Sequence, residues 1–299
     1  MKLLVLGAGG QVGFELCRAR LPAGFAIAPL DRSGLDIADR AAVFAAVARE
    51  RPGLVVNAAA YTAVDRAESE PEAAFAANAA APGHIAAACA ASGIPLIHLS
   101  TDYVFDGAKP GPYREDDPID PLGVYGRSKA DGEGAVRAAL AEHVIVRTAW
   151  VYGAHGHNFV KTMLRLANER LALRVVADQR GAPTAAADIA AAIVWIASRI
   201  SAAQPCWGTF HFAGAGETTW HGFAEAIVAL AAPHIGKSPP VEPIATADYP
   251  TPARRPANST LDCSRIAAAY GIVPRPWREA LAEVVAELFA DRATPLPGA

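Results

Sequence analysis

The chain has 299 residues, 52% of them hydrophobic and 19% charged, with a formal net charge of -3. That length suits one large α/β domain, or a dinucleotide-binding domain with a smaller second one. No basic tail or patch accompanies the balanced charge, which argues against nucleic acid as a principal partner.

The apolar run at residues 3–6 is too short for a signal peptide or a membrane span and right for a buried strand. A cytoplasmic protein with no membrane contact is therefore expected. Residues 11–20 read as a helix with Val12, Leu16 and Ala19 on one side. A second strand follows over 25–30, ending at Asp31, and then a helix over 39–49 with Asp39 in the cap region. A third strand over 54–57 runs into Ala58-Ala59-Ala60. Residues 70–92 read as one long helix: Pro71 is tolerated at its start, whereas Pro82 should bend or split it. A fourth strand covers 96–100. Strands alternating with helices at this spacing predict a parallel sheet covered by helices. The Pro-, Gly- and Asp-rich loop over 106–122 is long enough to suggest a functional role. A helix then carries Tyr125 and Lys129 to about residue 141, and a strand covers 144–147.

After Trp150 the organisation changes. Helices are expected over 159–170, 188–199, 220–231 and 277–291, and strands over 173–176 and 208–213. The tract 237–256 is rich in proline and poor in periodicity, and residues 295–299 should fray. The four cysteines, Cys17, Cys89, Cys206 and Cys263, form no Cys-x-x-Cys pair. They read as buried thiols of a reducing compartment.

Three groups of residues carry chemistry. Gly7, Gly10 and Gly13 are spaced G-x-x-G-x-x-G, with Gly9 between them, after the first strand and before a helix. Glycine allows the tight turn and a close approach to a pyrophosphate, and the helix start at Gln11 and Val12 offers amide donors. Asp31 ends the second strand, where an acid can bind the ribose hydroxyls of NADH, while Arg32 can hold the 2′-phosphate of NADPH. Either cofactor fits these two signals. Tyr125 and Lys129 stand one helical turn apart, so a nearby ammonium can ease proton transfer from the phenol. Ser100 and Thr101 end the fourth strand, where one hydroxyl can hold a substrate carbonyl and the other can satisfy loop backbone. The set reads as machinery for reducing a carbonyl or oxidising an alcohol.

Further blocks join these: Leu35-Asp36-Ile37, the run from Asn57 through Ala60-Tyr61-Thr62 to Asp65, Glu68-Ser69-Glu70-Pro71, and Asn78. Ser100-Thr101-Asp102-Tyr103-Val104-Phe105, Arg147 to Gly153, Asp178 to Thr184 and Arg255 to Ser259 complete the order. In this order the chain resembles the extended short-chain dehydrogenase/reductases, and among them the dTDP-4-dehydrorhamnose reductases, over almost its whole length. The resemblance implies a Rossmann-type parallel sheet with helices on both faces, plus a smaller C-terminal substrate domain of discontinuous segments. Residues 1–148, with a return segment at about 184–213, would bind the dinucleotide; 149–183 and 214–299 would hold the nucleotide sugar. It implies hydride transfer from NADPH or NADH to C4 of dTDP-6-deoxy-L-lyxo-4-hexulose. Tyr125 would give the proton, Lys129 would hold the nicotinamide ribose, and Thr101 would bind the reacting oxygen. Asp102, Tyr103 and Trp150 would surround the sugar, and Arg254 or Arg255 would meet the diphosphate. Asp36 and Ile37 would flank the adenine, and Ala60, Tyr61 and Thr62 would run past the cofactor.

Some members of that family form a homodimer through Mg²⁺ held by glutamates. Glu15 and Glu287 match two such positions, but the third falls on Ala187, so a monomer or a homodimer with at most weak metal dependence is expected. Nucleotide-sugar epimerases and dehydratases share the glycine loop, Tyr125 and Lys129. A dehydratase usually needs an acidic pair, and Tyr103 stands where its glutamate would be. Non-catalytic regulatory subunits of methionine adenosyltransferase also resemble this pattern.

Overall fold

The computed structural model describes residues 1–293, with side chains described through residue 290. The expected fraying over 295–299 lies outside the described residues. The first half alternates as predicted: β1 (Lys2–Leu6), α1 (Gln11–Arg18), β2 (Ala26–Leu30), α2 (Arg40–Glu50), β3 (Leu54–Asn57), α3 (Val64–Ala67), α4 (Pro71–Phe75), α5 (Ala81–Ser92), β4 (Leu96–Thr101), α6 (Val124–Ala139) and β5 (His143–Thr148). The second half contains β6 (Val151–Tyr152), α7 (Phe159–Glu169), β7 (Leu173–Val176), β8 (Arg180–Gly181), β9 (Thr184–Ala185), α8 (Ala186–Ser201) and β10 (Gly208–His211). It ends with β11 (Thr218–Thr219), α9 (Trp220–Ile235), β12 (Val241–Ile244), α10 (Ser264–Tyr270) and α11 (Trp277–Ala293).

Six strands form one sheet in the order β10-β5-β4-β3-β1-β2, and every neighbouring pair is parallel. The near-continuous apolar strands are what a sheet covered on both faces requires. Leu3, Val5, Val56, Ile97 and Val144 point to one face, where α1 and α8 pack; Ile266 and Tyr270 of α10 join that core. Leu4, Leu6, Val55, Leu96 and Ile145 point to the other face, under α2, α5 and α6. Successive strand residues alternate between the faces because the strand period is two. Each fully buried leucine contributes about 1.5–3 kcal/mol. β2 and β3 lie on opposite sides of β1, so the chain reverses direction across the sheet there. In open parallel sheets ligands bind beyond the carboxyl ends of the strands at such a point.

Two predicted details gain a physical cause. Asp39 caps α2, its carboxylate accepting from the Ala42 amide. Pro82 divides the α-helical run without ending it. Residues Ala76–Ala80 form a π-helical turn, with the Ala81 amide reaching back to the Ala76 carbonyl. Proline has no N–H to offer the Asn78 carbonyl, and the wider turn absorbs the mismatch. That carbonyl faces Gly132 of α6, where a Cβ would lie only 2.0 Å from it. α5 and α6 can therefore approach closely.

A second core lies between α7, α9 and α11, built from Tyr152, Val160, Leu164, Phe223, Ile227 and Leu281 among others. The proline-rich tract contains β12, which pairs in parallel with β7. Alternation was weak there because the strand is short and Glu242 and Pro243 are exposed. Cys17 corrects the reading of buried thiols: it is exposed on α1, whereas Cys89 is buried and Cys206 and Cys263 are half-buried, all four free. Among the described residues no helix is long and apolar enough to cross a membrane.

Candidate active site

The glycine loop turns on Gly7, whose φ is +82°. A Cβ on Gly7 would meet the Ala59 backbone at 2.5 Å, and one on Gly13 would meet the Gly7 carbonyl at 2.1 Å. These two glycines let the loop pass between β3 and the start of α1. Gly10 takes the N-cap position and offers no side-chain cap, so the first amides of α1 remain available to an anion. Gly9 lies above Asp31, whose Cβ would be 3.6 Å from a Cβ at residue 9. The side chain of Val12 is in the core, leaving only its amide to face a ligand. The Gln11 side chain accepts from Asn158 Nδ2 at 3.0 Å, and His155 Nε2 lies 3.1 Å from the Gly9 carbonyl. The loop at residues 153–158 thus leans on the glycine turn from the second half of the chain.

Asp31 accepts from the Ser33 hydroxyl and from the Ser33 and Gly34 amides. The Ser33 hydroxyl in particular holds its pKa below the usual carboxylate range. Arg32 is fully on the surface beside it and forms no salt bridge among the described residues. Asp36 caps the following turn by accepting from the Ala38 amide, and Ile37 packs against the sheet's second face. Ala60 and Thr62 are exposed, and Tyr61 donates to Glu70 Oε2 at 2.6 Å. The Tyr61 backbone is clamped by Asn78, which accepts from its amide at 2.8 Å and donates to its carbonyl at 2.9 Å. Asn78 also donates to Ser128 on α6 at 3.1 Å. One buried amide therefore ties the cofactor-side loop to the helix bearing Tyr125 and Lys129.

α6 has no cap from its own N-cap residue, Gly123; Glu68 supplies one, accepting from the Val124 amide at 2.8 Å. Gly126 lets the helix approach the Tyr103 carbonyl, which would lie 2.2 Å from a Cβ there. Tyr125, Lys129 and Glu133 then fall on one stripe of the helix, each one turn after the last. Lys129 is 2% exposed, and its ammonium donates to the Leu99 carbonyl at 2.6 Å. Burial pulls its pKa down to about 8, with Glu133 acting in the opposite direction. The expected lowering of Tyr125 by Lys129 is corrected here. Burial pushes the phenol up to about 12, the Thr101 hydroxyl offsets part of that, and Asp102 adds to it. With the ammonium turned to Leu99, Tyr125 stays protonated through the neutral range, as a proton donor must.

Beneath this stripe lies a buried polar layer whose pairings no sequence motif announced. Asn57 and His98, side by side on β3 and β4, are joined at 3.1 Å. Glu133 binds Arg147 of β5 through two contacts, 2.8 and 2.7 Å long, and both residues are fully buried. Burial works against the Glu133 carboxylate, but Arg147 outweighs it and the pKa lies below the ordinary value. Arg147 also faces His211 of β10, and burial pushes that imidazole down to about 3, so it is neutral. Arg147 was quoted above only as the start of a motif, and the function of Glu133 depends on sheet register.

Thr101 ends β4 with its hydroxyl donating to Asp102 Oδ1 at 2.9 Å and accepting from the Tyr103 amide at 3.2 Å. Asp102 is 3% exposed, and burial raises its pKa to about 6, against which Ser259 and Thr101 act. The Tyr103 ring meets Tyr125 edge to face at 5.4 Å. Trp150 lies two residues beyond Thr148, the register partner of Thr101. Thr101, Asp102 and Tyr103 gather with Tyr125 beyond the carboxyl end of β4, and Trp150 follows the carboxyl end of β5. Arg255 stands differently. It binds Asp65 through both carboxylate oxygens, at 2.5 and 2.8 Å, and the Ala253 amide joins the same carboxylate. The segment before Asn258 is thereby fastened to α3, next to the cofactor-side loop.

Glu15 and Glu287 come together across α1 and α11, with Arg18 between them: Nη1 lies 2.6 Å from Glu287 and Nε 3.7 Å from Glu15. Burial raises the pKa of Glu15, while Arg18 acts to lower it. Residue 187 is an alanine. Among the described residues no group of three or more acidic, histidine or cysteine side chains could hold a metal ion. The donor set does not fit Mg²⁺, because a guanidinium already supplies the positive charge.

A family profile described as the RmlD substrate binding domain matches residues 1–290. A dTDP-4-dehydrorhamnose reductase from Sinorhizobium fredii is 46% identical, over 97% of this chain and 99% of its own. The chain belongs to the dTDP-4-dehydrorhamnose reductase family. Solved structures of family members superpose closely. That from Clostridium acetobutylicum has a TM-score of 0.90 at 37% identity, covering 96% of this chain and 99% of its own. The Bacillus anthracis member, solved in complex with NADP, has a TM-score of 0.88 at 36% identity over the same shares. The resemblance read from the motif order thus holds at the level of family.

Proposed function

We propose that this chain reduces the C4 ketone of dTDP-6-deoxy-L-lyxo-4-hexulose to dTDP-L-rhamnose, using NADPH or NADH. The observation that carries the reading is the buried Tyr125 phenol beside the Thr101 hydroxyl, at the carboxyl end of a parallel sheet that opens on a glycine turn. When bound, the nicotinamide supplies the hydride. Thr101 and Tyr125 hold the ketone oxygen, and Tyr125 gives it the proton that the alcohol keeps. Lys129 and the clamped Tyr61 loop hold the cofactor's ribose side, while Gly7, Gly9, Gly10, Gln11 and the Val12 amide receive the pyrophosphate. Asp31, Asp36 and Ile37 border the adenosine. Asp102, Tyr103 and Trp150 would enclose the sugar, and Arg255 would meet the diphosphate by leaving its clasp on Asp65. The sugar-nucleotide half comprises 149–183 and 214–299, with 184–213 returning to the sheet. A dehydratase reading is disfavoured by Tyr103, which leaves Asp102 without an acidic neighbour. Incubation with the hexulose and NADPH should consume NADPH and yield dTDP-L-rhamnose in equal amounts. Conversion of dTDP-L-rhamnose itself into its C4 epimer, with no net oxidation or reduction of the nicotinamide, would favour an epimerase instead.

Arg32 is free to meet a 2′-phosphate that only NADPH carries. Arg32→Ala should therefore weaken NADPH binding and leave NADH binding nearly unchanged. Paired titrations measure this, and equal losses for both would show that Arg32 does not read the phosphate.

Arg18 between Glu15 and Glu287 makes the α1–α11 contact independent of Mg²⁺. Sedimentation in EDTA and in added Mg²⁺ should return the same species, whether monomer or homodimer. A dimer that forms only with Mg²⁺ would mean that the guanidinium leaves the two carboxylates to the metal.

A further inference from the structure

Trp150 is held with unusual care. Its φ is +49°, a left-handed conformation that a bulky residue adopts only when its surroundings impose it. Its carbonyl accepts from the Thr184 amide at 3.2 Å, which fixes the backbone. Its indole stacks flat on that of Trp220, with centroids 3.6 Å apart and planes 9° from parallel. The edge of the same indole fills the space that a side chain at Gly181 would need, since a Cβ there would lie 2.4 to 2.7 Å from Cε2, Cζ2 and Nε1. One short ribbon places both restraints: β8 and β11 pair antiparallel with Gly181 opposite Thr218, and Trp220 follows two residues later as the first residue of α9. Behind Trp220 the Phe159 ring lies at 4.7 Å, and Phe159 stacks on Phe223 in the second core. Trp150 is thus the outermost plane of an aromatic tower rooted in that core.

We propose that Trp220 and Gly181 are positioning residues that set the angle of the Trp150 indole, so that the deoxyhexose ring of the substrate meets a fixed apolar plane beside Thr101. The proposal rests on the reading of Trp150 as a sugar contact. Among the described residues no hydrogen bond or ring contact joins Trp220 or Gly181 to Tyr125 or to the glycine loop, so the effect expected is on the sugar side and not on the dinucleotide.

The test compares binding of dTDP-L-rhamnose, dTDP and NADPH by calorimetry with steady-state kinetics, in Trp220→Leu, Trp220→Phe, Gly181→Ala and Trp150→Leu. Trp220→Leu should weaken dTDP-L-rhamnose binding roughly three- to tenfold, the scale of one aromatic stacking contact. Binding of dTDP and NADPH should hold, and KM for the hexulose should rise more than kcat falls. Trp220→Phe, which keeps a ring, should recover most of the loss, and Gly181→Ala should reproduce it. If Trp150→Leu loses sugar binding while Trp220→Leu and Gly181→Ala do not, the positioning role is overturned. If Trp150→Leu leaves the ratio of dTDP-L-rhamnose to dTDP affinity unchanged, the reading of Trp150 itself fails. Should Trp220→Leu not fold, an unchanged ratio in both Trp220→Phe and Gly181→Ala overturns the proposal.

Discussion

Tyr125→Phe should lower kcat by roughly 10²-fold or more, the usual scale of a lost general acid, while NADPH binding and thermal stability stay near those of the unaltered protein. The substitution removes one hydroxyl and keeps the ring that packs edge to face on Tyr103. That hydroxyl is the proton source for the new alcohol. Burial pushes its pKa up to about 12, so it remains loaded at every pH where the enzyme is expected to work. Thr101 still holds the ketone oxygen in the variant, which is why some turnover should persist. Steady-state kinetics at saturating NADPH makes the measurement. A kcat close to normal would remove Tyr125 from the mechanism.

The largest effect on stability is expected at Glu133. Glu133→Leu would leave Arg147, fully buried, without its carboxylate partner. Losing one member of a buried ion pair costs about 3–5 kcal/mol, because the remaining charge is neither hydrated nor paired. Arg137, the other partner of Glu133, is more than a third exposed on its side chain and can turn to water. Combining Glu133→Leu with Arg147→Met should restore most of the loss, since a matched apolar pair has no charge to desolvate. Denaturant midpoints for the two single variants and the double variant, compared at constant m, provide the check. A single variant within about 1 kcal/mol of the unaltered protein would show that the layer below α6 is hydrated, contrary to its burial.

The parallel sheet was legible from residues 1–148 because its strands are buried on both faces and read as short apolar runs, as in Leu3-Leu4-Val5-Leu6. The glycine turn and the Tyr125–Lys129 stripe were legible for a similar reason. Both depend on spacings of a few residues, which local geometry turns directly into a loop or a helix face. The order of the motifs along the chain was enough to identify the family. Pro82 marks a limit of local reasoning: a bend or a split was expected from its missing donor, and the disturbance takes the form of a π-helical turn between α4 and α5.

Contacts between residues far apart in the chain were another matter. Asn78 bridging Tyr61 and Ser128, Glu68 capping α6 from 56 residues away, and Glu133 meeting Arg147 all require helices and strands to be placed in three dimensions. The Arg255 clasp on Asp65 spans 190 residues, and Trp220 reaches Trp150 only because β8 and β11 pair. The direction of the Lys129 ammonium follows from which carbonyl lies within reach, and the high pKa of Tyr125 from its burial. Periodicity and spacing report what happens within one element; burial, charge pairing and pKa depend on what the fold brings against it.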